Sequence, residues 1–463
     1  MTATLQRNSS KKRTVDSKLL SEWDKKFVWH PFTQMSEWVR SDNLIIESGK
    51  GNYLKDTNGK KYLDGVSSLW CNVHGHCIPE LDRAVRKQIS QIAHSTFLGL
   101  SNVPAIELAK KLIEVAPKGL SRVFYSDSGS EAVEIALKMA YQFWQHKGEK
   151  KKKKFIHLTN AYHGDTIGSV SVGGIELFGD IYRPLLFETY SAEAPYRYRD
   201  NFEGSEEEYA RFCADRIEHA LQNNQDEICG LIIEPLMQGA AGMIDQPKGY
   251  ISRVRELTKQ YNTLLIFDEV ATGFGRTGRM FAAEHENVSP DLLCVAKGLS
   301  GGYLPISATL ASEDIYEAFL GCYEDLKTFF HGHTYTANPL ACAVSIANLD
   351  FFDEHQVLKK LAPKIDFLNR RLNSFHELEH VGDVRQVGFM AGIELVANRA
   401  TKKPYQLKDK IGIKVIEEAR RRGVIIRPLG NVIVLMPPLS FEIKDLKKLT
   451  NVIYESIEKV TEK

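Results

Sequence analysis

The sequence predicts an α/β fold: a mainly parallel sheet with helices on both faces, joined to a smaller α+β domain. Three observations carry this expectation. Short, β-rich, nearly continuous apolar runs recur through the middle of the chain ("RVFYSD", "KFIHLTN", "ICGLIIEP", "NTLLIFDEV" and "DLLCVAKG"), and such runs suit strands buried on both faces of a parallel sheet. Segments of helical period separate them, as in alternating β and α units. The flanks differ in character, with hairpin-like strands before this stretch and mixed helices and strands after it.

Taken in order, residues 1–22 are polar and carry Arg7, Lys11, Lys12, Arg13 and Lys18 without an apolar signal core. They are expected to be a disordered basic tail rather than a secretory signal. Residues 23–80 include "NLIIESGKGNYLKDTNGKKYLDG", which reads as hairpin strands with Gly- and Asn-containing turns. They are taken as the N-terminal segment of the small domain. Residues 81–340 form the large domain. There, "SGSEAVEIALKMAYQFW" places Val133, Leu137, Ala140 and Trp144 on one helical face, and "ISRVRELTKQY" is a second helix. The run Lys150–Lys154 reads as a solvated loop. From Thr328 to Leu349 there is no Asp, Glu, Lys or Arg, but His331, His333, Asn338 and Pro339 mark a site loop followed by a buried helix, not a membrane span. Residues 341–463 alternate helices ("ACAVSIANLDFF", "KIGIKVIEEARRRG") with strands ("QVGFMAGIEL", "NVIVLMPP"). They complete the small domain, and with no Pro/Gly/Ser linker the two domains are expected to pack tightly.

Composition narrows the function. The 463 residues are 43% hydrophobic and 26% charged, and mean hydropathy is −0.28, which argues against a multi-span membrane protein. Lys and Arg number 60 against 59 acids, a net charge of +1, without the basic excess of a nucleic-acid binder. Neither a nucleic-acid nor a membrane partner is therefore expected. Seven sparse cysteines, several in apolar runs, fit free thiols in a reducing, cytoplasmic setting. Cys71, His74, His76 and Cys77 crowd one segment, "LWCNVHGHCIP", but lack paired zinc-ligand spacing. A packed turn is the better reading, and no metal is expected.

In open α/β sheets, ligands collect at the carboxyl ends of the strands. After "VFY" comes Ser126-Asp127-Ser128-Gly129-Ser130 and then a helix, a start suited to phosphate. On that fragment alone, simple helix capping by Ser128 or Ser130 is the favoured reading. After "LLIFDEV", Asp268 and Glu269 end a strongly apolar strand. They could serve acid/base work, a metal or a structural salt bridge. After "LLCVA" comes Lys297 beside Gly-rich backbone. Desolvation there would lower its pKa and make it an amine nucleophile, unless the amine reaches solvent or a carboxylate. Together, a phosphate cradle, a buried Asp and a buried Lys suit pyridoxal phosphate.

These residues resemble the class III aminotransferases, within the fold-type I pyridoxal-phosphate enzymes. The pattern "LLIFDEVATGFGRTGRMFAAEH…PDLLCVAKGLSGGYLPISATL" is similar to that family's central signature, and similarity runs from "WHPFTQM" to "LMPPL". The segments "HPFTQM", "SSLWCNVHGH", "YSDSGSEAVEIALKMA", "AYHGDTIGSVSVGG", "HGHTYTANPLACA" and "IIRPLGNVIVLMPP" are nearest the family's biotin-pathway branch. The resemblance implies that Lys297 bonds the cofactor covalently and shuttles the substrate proton. It implies that Asp268 pairs with the ring nitrogen, Val270 and Tyr162 cover the two ring faces, and Ser128 and Gly129 hold the phosphate. Thr334 would reach that phosphate from the neighbouring subunit of a homodimer, so the active site would lie at the interface. Arg427 would bind a substrate carboxylate, and Trp70, Tyr162, Gly332 and Phe32 would line the substrate channel. From the residues alone, Tyr162 and Trp70 could be core aromatics, Thr334 a turn residue and Arg427 a surface ion-pair member. Glu234 reads at least as well as half of a buried salt bridge, and Arg276 lies in a matching motif.

The implied activity moves an amino group onto 8-amino-7-oxononanoate to give 7,8-diaminononanoate. Members that use S-adenosylmethionine as donor commonly read "HPYTSM" and "SSWW". Here Phe32 lacks the tyrosine hydroxyl, and Leu69 lacks an aromatic face for a sulfonium, so lysine stands beside S-adenosylmethionine as donor. Ala271 lies where many class III enzymes carry a glutamine, which weighs against an ω-aminotransferase acting on ornithine, 4-aminobutyrate or a diamine. Two other readings are a non-catalytic scaffold that binds a phosphate ligand and an aminomutase on the same fold.

Overall fold

The computed structural model describes residues 16–462. Its centre is a seven-stranded sheet in the spatial order Leu120–Ser126, Ser307–Ser312, Leu292–Val295, Leu264–Asp268, Ile228–Ile233, Lys154–Leu158, Tyr190–Ala192. All five apolar runs singled out in the sequence are strands of this sheet. Strand Ser307–Ser312 is antiparallel to both of its neighbours, while the pairings across the other strands are parallel. That antiparallel strand was not anticipated. "SATLAS" is short, half of it is polar, and it lies close behind the Gly-rich segment after Lys297.

Successive strand residues point to opposite faces, and both faces are buried. Ile232, Ile266 and Cys294 pack under Val133, Ala136, Leu137, Ala140 and Trp144 of helix Gly129–His146. Leu231, Leu265, Phe267 and Leu293 face the opposite layer, which includes Ile217, Val254, Leu257 and Leu108. The indole N–H of Trp144 also donates to the Cys229 carbonyl at 2.8 Å, which ties the helix to the sheet.

The hairpin strands Ile46–Lys50, Tyr53–Asp56 and Lys61–Asp64 pair antiparallel, with a bulge between Ile46 and Ser48, and Lys61–Asp64 pairs in parallel with Val424–Ile425. The two ends of the chain thus share one small sheet. A further C-terminal sheet contains Val381–Val387, Met390–Asn398, Val432–Leu435 and Arg427–Leu429. Here "QVGFMAGIEL", read as one strand, is the corner of a hairpin. Gly388 turns it with φ +61°, and a Cβ there would come within 2.4 Å of the Arg276 carbonyl oxygen, so only glycine fits. Helix Pro339–Glu354 follows the uncharged loop as expected.

Two expectations need correction. The tail placed at residues 1–22 contains helix from Ser17 onward. Asp16 caps it by accepting from the Lys18 and Leu19 amides, and the helix runs to Phe27; residues 1–15 lie outside the described residues. The lysine run is not uniformly solvated either. Lys152 is 4% exposed. Its ammonium donates to the carbonyls of Gln225, Ile228 and Asn262 at 3.1, 3.0 and 2.8 Å and lies 4.5 Å from the Trp144 ring centroid. Burial pulls its pKa below the ordinary lysine value. Three carbonyl dipoles, from a helix end, a strand start and a turn that converge there, hold the charge that the sequence run alone disguises. Lys152→Met leaves these carbonyls without their donor, and urea unfolding is expected to show a loss of about 2–4 kcal/mol. The same change at the neighbouring Lys151, which is exposed, should stay within about 0.5 kcal/mol.

Among the described residues no helix is long and apolar enough to cross a membrane. All seven cysteines are free thiols. In the "LWCNVHGHCIP" segment, His76 bonds Asp64 at 3.0 Å and Asn72 at 3.0 Å. His74 is buried against Phe351 and Phe352, which pushes its pKa down to about 3. These side chains hold a turn together.

Candidate active site

The carboxyl ends of the parallel strands open onto a cavity of about 720 Å³. Its wall contains Trp70, Ser128, Gly129, Tyr162, Asp268, Val270 and Lys297, seven of the residues proposed from sequence. Topology explains the convergence. Strand Leu264–Asp268 is centred in the sheet, and its Asp268 pairs in register with Cys294 of the next parallel strand. Three residues beyond Cys294 the chain reaches Lys297, whose φ of +42° turns it out of the strand direction into a short 3₁₀ turn. Two chemically opposite groups thus face one space from adjacent strands.

Asp268 is 5% exposed. One carboxylate oxygen accepts from His163 Nδ1 at 2.7 Å, and the other accepts the Val270 amide at 3.0 Å. Because a carboxylate only accepts, Nδ1 must carry the hydrogen. His163 is itself buried, and its Nε2 has no partner. It is the functional neighbour that sequence reasoning passed over, although it sits inside the quoted "AYHGD". Lys297 is the counterpart. Burial pulls its pKa below the ordinary lysine value, against the opposing pull of Asp268 and Glu234. Its ammonium lies 5.4 Å from the Trp70 ring centroid.

The phosphate-type corner is built by the start of helix Gly129–His146. Ser128 and Glu131 form a capping box, in which the Ser128 hydroxyl accepts the Glu131 amide and the Glu131 carboxylate accepts the Ser128 amide. Capping and anion binding, posed as alternatives, are compatible. The cap uses the Ser128 and Glu131 amides, and among the described residues the Gly129 and Ser130 amides have no acceptor. A Cβ on Gly129 would lie 2.7 Å from Val270 Cγ1. Glycine therefore keeps open the narrow space between helix start and Val270.

The other acidic and basic residues separate by role. Glu269 points away from the cavity. It accepts from the Ala282 and Ala283 amides and from the Thr272 hydroxyl, so it braces a turn. Glu234 lines the cavity, but it accepts the Tyr162 and Gly239 amides and, among the described residues, forms no salt bridge. Burial raises its pKa from 4.5 to about 7. Protonated Glu234 therefore favours the fold fully below about pH 4.5, and that contribution fades as pH rises through 7. Arg276 is wholly buried and donates to the carbonyls of Pro437, Asn72 and Trp70, so it holds the Trp70 segment against the C-terminal sheet.

Four residues assigned to the site from sequence lie outside the cavity wall formed by a single chain. Gly332 and Thr334 are exposed on the loop before helix Pro339–Glu354. Arg427 is half-buried on its edge strand, yet its charge opposes the burial-driven rise of the Tyr162 pKa, so the two share one field. Phe32 is 60% exposed and joins the site at one remove. Its ring meets Phe178 edge-on at 5.4 Å, and Phe178 meets Tyr162 edge-on at 5.9 Å. Phe178 was missed because its helix is one short turn, Glu176–Gly179, too brief for a periodic signal. Tyr162 is anchored by its hydroxyl, which donates to Asp165 at 2.8 Å.

A buried amine, a buried carboxylate and unfilled helix amides around one cavity are the donor set that a phosphorylated pyridine aldehyde requires. Residues 35–457 match the family model "Aminotransferase class-III", and the chain belongs to that family of pyridoxal-phosphate-dependent transaminases. Its relatives carry a more particular name. The chain is 51% identical to the adenosylmethionine-8-amino-7-oxononanoate aminotransferase of Geobacter sulfurreducens, over 96% of this chain and 99% of that one. It is 54% identical to the protein of the same name from Aquifex aeolicus, over 92% and 94%. The crystal structure of the enzyme of that name from Methanocaldococcus jannaschii superposes with a TM-score of 0.92 at 47% identity, covering 96% of this chain and all of the other. An omega transaminase from Pseudomonas jessenii in complex with PMP has the same TM-score at 32% identity, covering 96% and 98%.

Proposed function

We propose that this chain transfers an amino group to 8-amino-7-oxononanoate, giving 7,8-diaminononanoate in biotin biosynthesis, with S-adenosylmethionine as donor. The observation that carries the reading is the pairing of Lys297 and Asp268 across one cavity, in a chain half-identical end to end to enzymes of that name. That identity favours it over action on ornithine, 4-aminobutyrate or a diamine.

Bound pyridoxal phosphate supplies a carbonyl carbon that accepts the amine and a ring that draws electrons away from the substrate carbon. The residues act around it. Lys297 Nζ, whose pKa burial pulls below the ordinary lysine value, would hold the cofactor and move the proton at the substrate carbon bearing nitrogen. Asp268, fixed by His163 and the Val270 amide, keeps a proton on the ring nitrogen. The Gly129 and Ser130 amides and the Ser128 hydroxyl receive the phosphate. Val270 and Tyr162, both on the cavity wall, would flank the bound ring, Trp70 and Phe32 would shape the channel, and Arg427 would bind a substrate carboxylate. Gly332 and Thr334 act from the loop of a second copy in a homodimer, which accounts for their exposure in one chain. A cytoplasmic setting fits seven free thiols.

Spectroscopy of the purified holoenzyme with each donor alone tests the reading. S-adenosylmethionine is expected to convert the bound cofactor from its carbonyl to its amine form, and lysine is not. Conversion by lysine alone would reassign the donor to the lysine-using members, consistent with Phe32 and Leu69. Conversion by neither, but by ornithine or 4-aminobutyrate, would contradict the proposed activity.

A further inference from the structure

We infer that Ser126 and Ser307 form a buried hydroxyl relay that positions and polarises the peptide group gripping the cofactor phosphate. The inference rests on the reading of Ser128 and Gly129 as the phosphate corner. Ser307 opens the antiparallel strand, and its register partner is Ser126, the last residue of strand Leu120–Ser126. Both are buried, at 0% and 1% exposure. Two serines in that position cost desolvation unless their hydrogen bonds are met.

The direction of the relay follows from counting hydrogens. A serine hydroxyl has one hydrogen to give. Ser307 gives its own to the Ser128 carbonyl at 2.7 Å. The 2.7 Å contact between the two hydroxyls therefore runs from Ser126 to Ser307. The Ser128 carbonyl also accepts the Ala132 amide at 3.0 Å, so both of its lone pairs are used.

The Ser128 carbonyl belongs to the same peptide group as the Gly129 N–H. In a trans peptide the two point in opposite directions. Hydrogen bonds donated to the carbonyl from the sheet side draw electron density away from the nitrogen and strengthen the N–H that faces the cavity. Chains of hydrogen bonds reinforce one another in this way where water is excluded. Thr309, two residues along the same strand, repeats the arrangement one turn later by donating to the Ala132 carbonyl at 2.7 Å. The antiparallel strand thus fixes both the place and the donor strength of the helix start, while touching neither cofactor nor substrate. Ser126 and Ser307 are positioning residues.

The test compares cofactor binding with and without the phosphate. Holoenzyme is stripped by dialysis and reloaded with pyridoxal phosphate or with pyridoxal, and the two dissociation constants are measured for wild type, Ser307→Ala, Ser307→Cys and Ser126→Ala. Ser307→Cys keeps the volume and loses most of the donor strength, so the test survives if the alanine variant folds poorly. Both Ser307 variants are expected to bind pyridoxal phosphate about tenfold more weakly and pyridoxal unchanged. Ser126→Ala should lose about threefold, because Ser307 keeps its own donation. Equal losses for both ligands would show that the serines only support the fold, and no loss for either would show that the relay is idle; both results overturn the proposal. A wild type that does not prefer pyridoxal phosphate over pyridoxal would overturn the phosphate-corner reading itself.

Discussion

Lys297→Ala is expected to lower turnover by about 10⁴-fold while the chain stays folded. The size follows from the two tasks placed on one atom, bonding the cofactor and moving the proton, and among the described residues no second amine lines the cavity to take over either. Burial keeps this lysine's pKa below the ordinary value, so at neutral pH more of it is unprotonated than of a surface lysine. Steady-state turnover and the cofactor absorbance spectrum read the two tasks separately. The variant should still take up pyridoxal phosphate through the helix amides, but its spectrum should lose the lysine-linked form. Arg at the same position keeps the charge and should be as inactive, because guanidinium stays protonated. A variant with near wild-type turnover would show that neither task rests on Lys297.

Asp268→Asn is the second large effect, expected at about 10²–10³-fold in kcat with little change in donor KM. The substitution is nearly isosteric, and the Val270 amide can still donate to the amide oxygen. What disappears is the negative charge that favours a proton on the ring nitrogen. The His163 bond also changes: with the amide oxygen turned to the Val270 N–H, the group facing His163 Nδ1 is an NH2, which donates, so that contact survives only with the imidazole hydrogen moved to Nε2. His163→Phe leaves the carboxylate in place and removes only its orienting bond, so its loss should be smaller than that of Asp268→Asn. Stopped-flow measurement of the donor half-reaction checks both, since KM effects and proton-transfer effects separate there. If His163→Phe costs more than Asp268→Asn, the ranking of charge over orientation is wrong.

Much of this was legible in the residues because parallel strands advertise themselves. The central ones, Ile228–Ile233, Leu264–Asp268 and Leu292–Val295, are apolar runs buried on both faces, with the site residues at or beyond their carboxyl ends. Asp268 and Lys297 stand out by that rule as charged groups at the ends of apolar strands, whereas Ser128 on its own reads as a helix cap and joins them only in combination. Other features resisted for physical reasons. Strand Ser307–Ser312 carries polar residues because its hydroxyls serve a neighbouring helix, so its alternation looks like a loop. Lys152 reads as solvent-facing because five consecutive lysines give no sign of which one turns inward to three carbonyls. Helix Ser17–Phe27 has no fully buried residue, and its amphipathic signal was hidden by the basic residues around it. Phe178 and His163 act through contacts, not through any spacing. Gly332 and Thr334 stand exposed on the loop before helix Pro339–Glu354, outside the cavity wall of the single chain.

The most direct measurement is product formation. Purified holoenzyme given S-adenosylmethionine and 8-amino-7-oxononanoate should release 7,8-diaminononanoate over many turnovers, and Lys297→Ala should release none. The same cofactor should then cycle back to its carbonyl form when the ketone is added after the donor. Turnover of ornithine, 4-aminobutyrate or a diamine with no 7,8-diaminononanoate formed would contradict the assignment.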